Sequence, residues 1–153
     1  MYKPYHVVNA LPPAADVFAG TVTTDVINLK NWEHVSFLVQ CGAGAVGTST
    51  ITVEACDDTT PTNTEAIPFT YQECVSGDTF SEVKQADASG FTTAQAANKV
   101  YKIEVDAQAL AKSGCSYVRL KAVEVIDDPV AGCVIALLTG GRYVQEVSDS
   151  VLV

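Results

Sequence analysis

Few side chains of this chain could do chemistry, and the two histidines are the first to consider. His6 and His34 lie in different segments, one near the start of the chain and one at the start of a predicted strand. A metal triad or a Cys–His nucleophile pair needs partners that converge in space, and no spacing here indicates them. The residues therefore favour structural or solvated histidines. The sequence also lacks the G-x-S-x-G, P-loop and H-E-x-x-H patterns.

Calcium binding is the second chemistry that the sequence could support. The acidic residues that could supply ligands are Asp57 and Asp58 with Glu54 and Glu65 nearby, and Asp127 with Asp128. Calcium needs several oxygens on one flexible loop, and the EF-hand pattern is absent, whereas aspartate is common in turns because it bonds its own backbone. The residues favour turns over metal sites. A carboxylate pair for glycoside hydrolysis stays open, although Trp32 is the only tryptophan that could stack on a sugar.

The segment Gly42–Gly47 matches the G-x-G-x-x-G pattern and follows a predicted strand. A dinucleotide site also needs a helix whose N-terminus receives the pyrophosphate. The next residues, Thr48–Val53, are β-branched at most positions and predict a strand instead. Without that helix the pattern favours a flexible hairpin loop.

The five cysteines show neither a C-x-x-C pair nor an even count; they are Cys41, Cys56, Cys74, Cys115 and Cys133. Most fall inside predicted strands, where a free cysteine packs as a small apolar residue. We expect free thiols in a reducing compartment. A disulfide or a zinc site stays open, although zinc would want short paired spacings or a nearby histidine.

These side chains must be positioned by strands, because apolar and polar residues alternate over 35–41, 50–55 and 100–105. A period of two is typical of an antiparallel sheet with one buried and one solvated face. We predict strands near 17–19, 21–29, 34–41, 48–56, 66–74, 99–105, 116–126 and 132–139. The last is apolar on both faces, so it is expected to be central, or covered on its second face by another subunit.

Two short helices are predicted beside the strands. Thr92–Gln95 fits a capping box, and Asp106 can cap a helix over 107–112 that Gly114 ends. Neither is long enough to form a helical layer. The sequence therefore predicts an all-β fold, an antiparallel β-sandwich that could take the form of a jelly roll, with one or two short helices and extended termini.

Three regions follow from this pattern. Residues 1–15, which contain two adjacent prolines, predict an N-terminal arm, and residues 16–143 predict the β-sandwich domain. Residues 144–153 predict a C-terminal tail, whose apolar end should pack on the same domain or on a neighbour.

Composition narrows the class of function. The formal net charge is −9, with nine basic and eighteen acidic residues, and the basic residues are not clustered as phosphate or anionic lipid would require. Nucleic acid and membranes are therefore not expected as partners. The longest apolar run is shorter than the roughly 20 residues that cross a bilayer, and no secretory signal is recognised. We expect a protein made in a reducing cytoplasm.

The chain resembles the small β-proteins encoded beside the major capsid gene of tailed bacteriophages. The residues that carry this resemblance are 35–37, 52–57, 98–107, Leu110, 114–120, 128–133 and 140–143. It implies a capsid decoration, or cement, protein: a non-enzymatic virion protein, made in the bacterial cytoplasm, that binds the capsid surface and stabilises the head. The implied partners are the major capsid protein and further copies of the chain, as a homotrimer, and no cofactor is implied.

Within that resemblance, residue type and position suggest where the contacts lie. We expect Tyr2 and Tyr5 of the arm to reach a neighbouring subunit, Arg142 and Tyr143 to anchor an interface, and Leu152 and Val153 to pack across a symmetry axis. For Arg142 an intramolecular salt bridge is equally open.

Other functions compete with the decoration hypothesis. A tail or head–tail connector component would form rings, with six- or twelve-fold symmetry in place of a trimer. A receptor- or carbohydrate-binding virion module would show a concave aromatic patch. A hydrolase would show clustered carboxylates or histidines in a cleft, because function depends on the site and not on the fold.

Overall fold

The computed structural model describes residues 5–44, 46–143 and 149–152. Thirteen strands and one helix lie within them. They are β1 Tyr5–Ala14, β2 Thr21–Thr23, β3 Ile27–Asn28, β4 Trp32–Cys41, β5 Thr48–Cys56, β6 Thr64–Ile67, β7 Phe69–Ser76, β8 Thr79–Phe80, β9 Lys84–Ala86, β10 Phe91–Thr92, β11 Lys99–Asp106, α1 Ala107–Lys112, β12 Tyr117–Ile126 and β13 Gly132–Gly141. No helix in these ranges is long and apolar enough to cross a membrane.

The strands form two antiparallel sheets, which confirms the predicted all-β sandwich. The first sheet has the order β1-β13-β4-β11-β7-β8, with β9 also paired to β7. The second has the order β10-β5-β12-β2, with β3 paired to β12 and β6 to β5. Strands β4 and β11 show the period-two burial that their sequences predicted, as in β4, where Val35, Phe37 and Val39 are fully buried.

The strand order is that of a jelly roll with one insertion. The eight strands of a jelly roll can be numbered in chain order here if β2 and β3 together count as the second strand, β6 and β10 together count as the fifth, and β7 to β9 are left out. The order of neighbouring strands is then 1-8-3-6 in the first sheet and 2-7-4-5 in the second. Strands β7 to β9 are the insertion and extend the first sheet beyond β11. This order places the first and last strands side by side, so both ends of the domain lie on one sheet.

The N-terminal prediction needs correction. Residues 5–14 do not form an arm: they are β1, the edge strand of the first sheet, with Val8 opposite Ala136 and Val7 opposite Leu137. Pro12 and Pro13 are tolerated there because proline has no backbone N–H to donate, and an edge strand can leave N–H positions on its open side unpaired. Residues 1–4 lie outside the described part of the chain.

Other predicted boundaries also change. The strand predicted over 66–74 divides at Pro68, where the chain crosses from the second sheet to the first, and that over 21–29 divides into β2 and β3. Residues 17–19 form a turn whose Val17 and Phe18 enter the core. The helix predicted at Thr92 is wrong, because Thr93 pairs with Ser49 through its backbone N–H and its hydroxyl. The helix after Asp106 is confirmed.

Candidate interaction surface

The outward face of the first sheet is partly apolar. On β13 the side chains of Val134, Ala136 and Leu138 are buried, whereas those between them point outward and are partly exposed. Registry places Val7 beside Leu137 and Leu38 beside Ile135 on this outward face. We name Val7, Leu38, Cys133, Ile135 and Leu137 the apolar patch. It belongs to strands β1, β13 and β4, and it does not form part of the core cluster.

The apolar patch continues into a shallow groove where β1 ends. The groove has a volume of about 470 Å³ and is lined by Pro13, Ala14, Ala15, Gln40, Gly42, Ala131, Gly132 and Cys133. Small and apolar residues dominate this lining, so groove and patch together make a largely uncharged strip along the sheet. Such a strip is typical of a surface that packs against another protein.

A polar cluster occupies the other end of the same face. Antiparallel registry puts Asp106 opposite His34 and Glu104 opposite Ser36. His34 Nδ1–H donates to Asp106 Oδ1 at 2.7 Å, and His34 Nε2 pairs with the Glu104 carboxylate. Ser36 Oγ–H donates to Glu104 Oε2 at 2.6 Å, and Lys102 Nζ lies 3.3 Å from Glu104 Oε1. We name these five residues the His34 cluster.

The charges of the His34 cluster stabilise one another. The hydrogen bond to Glu104 raises the pKa of His34, and Asp106 adds to this against the opposing effect of burial. Burial alone would raise the pKa of Glu104, but hydrogen bonds from His34 and Ser36 and the charges of His34 and Lys102 outweigh it and hold that pKa at about 2. The cluster therefore favours a protonated imidazole between two carboxylates.

This arrangement is not that of a serine triad. Ser36 Oγ lies 3.4 Å from His34 Nε2, but its proton goes to Glu104. Because both ring nitrogens of His34 face carboxylates, neither offers a lone pair to accept the Ser36 proton. In the described residues, no three His, Cys, Asp or Glu side chains are grouped so that they could hold a metal ion. The cluster is built as an ion-paired clamp between β4 and β11.

Four of the predicted interface residues lie at the end of the sandwich where β13 ends. Tyr5 pairs with Thr139 on the outward face, and Arg142 and Tyr143 directly follow β13, with Tyr143 70 % exposed. The Arg142 N–H donates to the Asn31 carbonyl at 2.9 Å. Leu152 packs against this domain's own core, next to Val151, whose carbonyl accepts from the Asn28 N–H at 3.0 Å. Tyr2 and Val153 lie outside the described residues.

The glycine-rich segment has a structural role. It is not a hairpin loop, because it joins β4 of the first sheet to β5 of the second. A side chain at Gly47 would meet the Asp128 carbonyl at 2.1 Å, and one at Gly44 would meet the Pro129 carbonyl at 2.3 Å. The Gly42 N–H donates to the Ala131 carbonyl at 2.6 Å, and the Ala43 carbonyl accepts from the Ala131 N–H at 2.9 Å. The glycines permit close packing of two connections.

Several of the other chemical candidates have local structural surroundings. Asp57 accepts four hydrogen bonds from Thr62 and Asn63 within its own turn, which lower its pKa. The five cysteines are free, with Cys41 and Cys56 buried. The His6 ring packs on Trp32 at 5.9 Å between centroids. The contacts of Asp57 and His6 are those of structural residues.

The outward face of the second sheet is mostly polar, although Val123 and Val125 are exposed near the end of β12. Glu54, buried although it points away from the core, pairs with Arg119 at 2.8 Å and with Lys121 at 3.5 Å. Lys30 donates to the Tyr117 hydroxyl at 3.0 Å and lies over its ring. The two faces of the sandwich are therefore not equivalent, and the apolar patch distinguishes the first sheet.

Sequence reasoning anticipated part of this surface. The apolar run 134–138 predicted a strand with two apolar faces, and β13 is indeed central, between β1 and β4. Leu38, an apolar residue at an outward position of β4, also indicates an apolar surface on this face of the sheet. The His34 cluster was missed, because its two strands are about 70 residues apart and only their registry joins them.

Comparison with known proteins gives a likeness of fold. No family model and no curated protein matches this chain. Among solved structures, the SPBc2 prophage-derived protein YomS has a similar fold, with a TM-score of 0.52 over 89 % of this chain and 93 % of that one. The two sequences are 13 % identical.

Proposed function

We propose that this chain is a structural phage protein that binds the outer surface of a capsid and stabilises the head. The observation that carries the proposal is the apolar patch on one face of a sandwich whose fold is shared with a prophage-derived protein. A decoration protein needs surfaces that pack on other proteins, repeated many times around a shell, and needs no reactive pocket. The proposed partner is the major capsid protein.

The aromatic and cationic residues at the β13 end supply candidate anchors. Tyr5 is 53 % exposed and Tyr143 70 % exposed, and Arg142 is exposed beside it. Tyrosine and arginine are enriched among residues that dominate binding energy. In this proposal they contact the capsid from the end of the sandwich beside the apolar patch, with Tyr5 on the same outward face as the patch.

Co-sedimentation with expanded capsids of the source phage tests the proposal. We expect saturable binding at a fixed ratio to the major capsid protein. Arg142→Ala and Tyr143→Ala should each weaken it about tenfold, the effect of losing one anchor of moderate strength. Val125→Ala, at an exposed position on the opposite face, should bind as the wild type does.

The alternatives give different results in the same experiment. Protein recovered with tails, or as rings of six or twelve copies, would favour a connector component. Protein that binds neither capsids nor tails but binds host cells or glycans would favour a receptor-binding module. Either outcome overturns the decoration proposal.

A further inference from the structure

We propose that the outward face of the first sheet packs against the same face of a second copy of this chain, related by two-fold symmetry. The inference concerns self-association, stands on the geometry of this face, and does not depend on capsid binding. It differs from the homotrimer that the resemblance implies, because two like faces of a sheet form a closed pair.

The first support is the composition of the face. On a solvated sheet face, outward positions are expected to be polar. Here the outward side chains of β13 include Cys133, Ile135 and Leu137, with Leu38 and Val7 on the strands either side. Val7 is 55 % exposed. Removing this apolar surface from water favours association in proportion to the area covered.

The second support is area. Strands β1, β13, β4 and β11 are eight to ten residues long. With strands about 4.8 Å apart and about 3.4 Å per residue, their face measures about 500–650 Å². Two such faces bury about 1,000–1,300 Å² in total, which reaches the size of a small specific interface. Sheets stack face to face in this way at a separation of about 10 Å.

The third support is charge. The chain carries a net charge of −9, so two copies repel unless they meet where the charge is balanced. The apolar patch has no charged side chain, and the charged residues of the His34 cluster are two positive and two negative groups paired with each other. This face therefore lets two acidic molecules approach without bringing like charges into contact.

The test is sedimentation equilibrium of the full chain from about 1 to about 200 µM, a range in which mass action reveals a reversible dimer. We expect a mass that rises toward twice the 16.1 kDa of one chain. Association should be stronger in about 0.5 M than in about 0.05 M NaCl, because salt screens the net repulsion. A monomer at every concentration, a trimer, or association that weakens with salt would overturn the inference.

Matched variants assign the contact to this face. Leu137→Lys should raise the dimer dissociation constant about 100-fold. Because two-fold symmetry repeats every contact, the substitution removes the leucine contact once from each copy. Val123→Lys introduces the same charge on the outward face of the second sheet and should leave the constant within about twofold of wild type. Equal effects of the two variants would overturn the assignment.

A labelling experiment on the wild-type chain tests the same contact without any variant that could misfold. Cys133 lies in the apolar patch, whereas Cys115 lies before β12 and outside it. Brief treatment with N-ethylmaleimide followed by peptide mapping should show that Cys133 of the wild type reacts more slowly at high than at low protein concentration. The rate at Cys115 should not change. A Cys133 rate independent of concentration contradicts the proposed contact.

Discussion

At the scale of residues, the His34 cluster shows how a chemically suggestive set can be structural. Its serine, histidine and carboxylates are those of a hydrolase, but both ring nitrogens of His34 pair with carboxylates on β11, and the Ser36 hydroxyl donates to Glu104. Charge-assisted hydrogen bonds of this kind are stronger than neutral ones. They join β4 to β11 on the outward face of the first sheet.

The His34 cluster predicts a defined pH dependence of stability. The folded state raises the pKa of His34 above its ordinary value of 6.5. The stabilisation that this gives is fully present below pH 6.5 and is lost as the pH rises through the folded-state pKa. The folded state lowers the pKa of Glu104 from its ordinary value of 4.5 to about 2. Its stabilisation is therefore fully present above pH 4.5 and is lost as the pH falls toward 2. His34→Gln should therefore destabilise most between pH 4.5 and 6.5, by about 1–2 kcal/mol.

Chemical unfolding of wild type and His34→Gln at pH 3, 5.5 and 8.5 checks this. The difference in free energy of unfolding should be largest at the middle value and smaller at both others. A difference that is the same at all three would mean that the ring acts through packing alone.

The cysteines give a second prediction at this scale. Burial raises the pKa of Cys41 and that of Cys56 to about 11, so their reactive thiolates are scarce at pH 7.5. At about 1 µM protein, where self-association contributes little, we expect alkylation of the folded protein to modify Cys74 and Cys133 at least about tenfold faster than these two, and all five at similar rates in urea. Mass mapping of timed samples measures the rates, and rapid modification of Cys41 would contradict its burial.

At the scale of elements, β1 and β13 set the character of the first sheet. β13 is buried on one face and apolar on the other, and β1 covers its outer edge. Without β1, the backbone groups along that edge of β13 would be open to pairing with another chain. The prolines near the end of β1 in turn limit pairing at the new edge.

A pair of neighbouring substitutions tests the register of β1. Val8 is 4 % exposed and Val7 55 % exposed. Val8→Ala should cost about 1–3 kcal/mol of unfolding free energy, because it leaves a cavity in the core, and Val7→Ala less than about 0.5 kcal/mol. Urea unfolding at about 1 µM, where self-association contributes little, measures both. Equal effects would mean that residues 5–14 behave as the arm first predicted.

At the scale of the whole molecule, both sheets share one core. Phe37, Val39 and Ile103 of the first sheet and Val53, Val118 and others of the second belong to a single buried cluster. Since neither sheet could bury its inner face alone, we expect them to form and melt together. The outward faces remain free to differ, and only the first carries the apolar patch.

Cooperative unfolding is the prediction at this scale. Trp32, in the first sheet, is buried and reports that sheet by fluorescence, whereas far-UV circular dichroism reports all strands. The two probes should give coincident urea transitions with midpoints that agree within about 0.2 M, as for a two-state domain. Separate midpoints would show that the sheets unfold independently.

The sequence by itself determined the local structure. Alternation in 35–41, 50–55 and 100–105 predicted inner strands of an all-β sandwich, and Asp106 and Gly114 marked the short helix. These features depend on residues within a few positions of one another, because a strand's two faces follow from its period of two. The two apolar faces of 134–138 were visible for the same reason.

Only the tertiary structure decided which strands are neighbours. β1 reads as an arm because its exposed edge and prolines give little local signal, and its pairing with β13 joins residues more than 100 positions apart. The His34 cluster and the apolar patch likewise arise from registry between distant strands. Registry is fixed when two sheets close on one core, since a shift of one residue would turn every buried side chain outward.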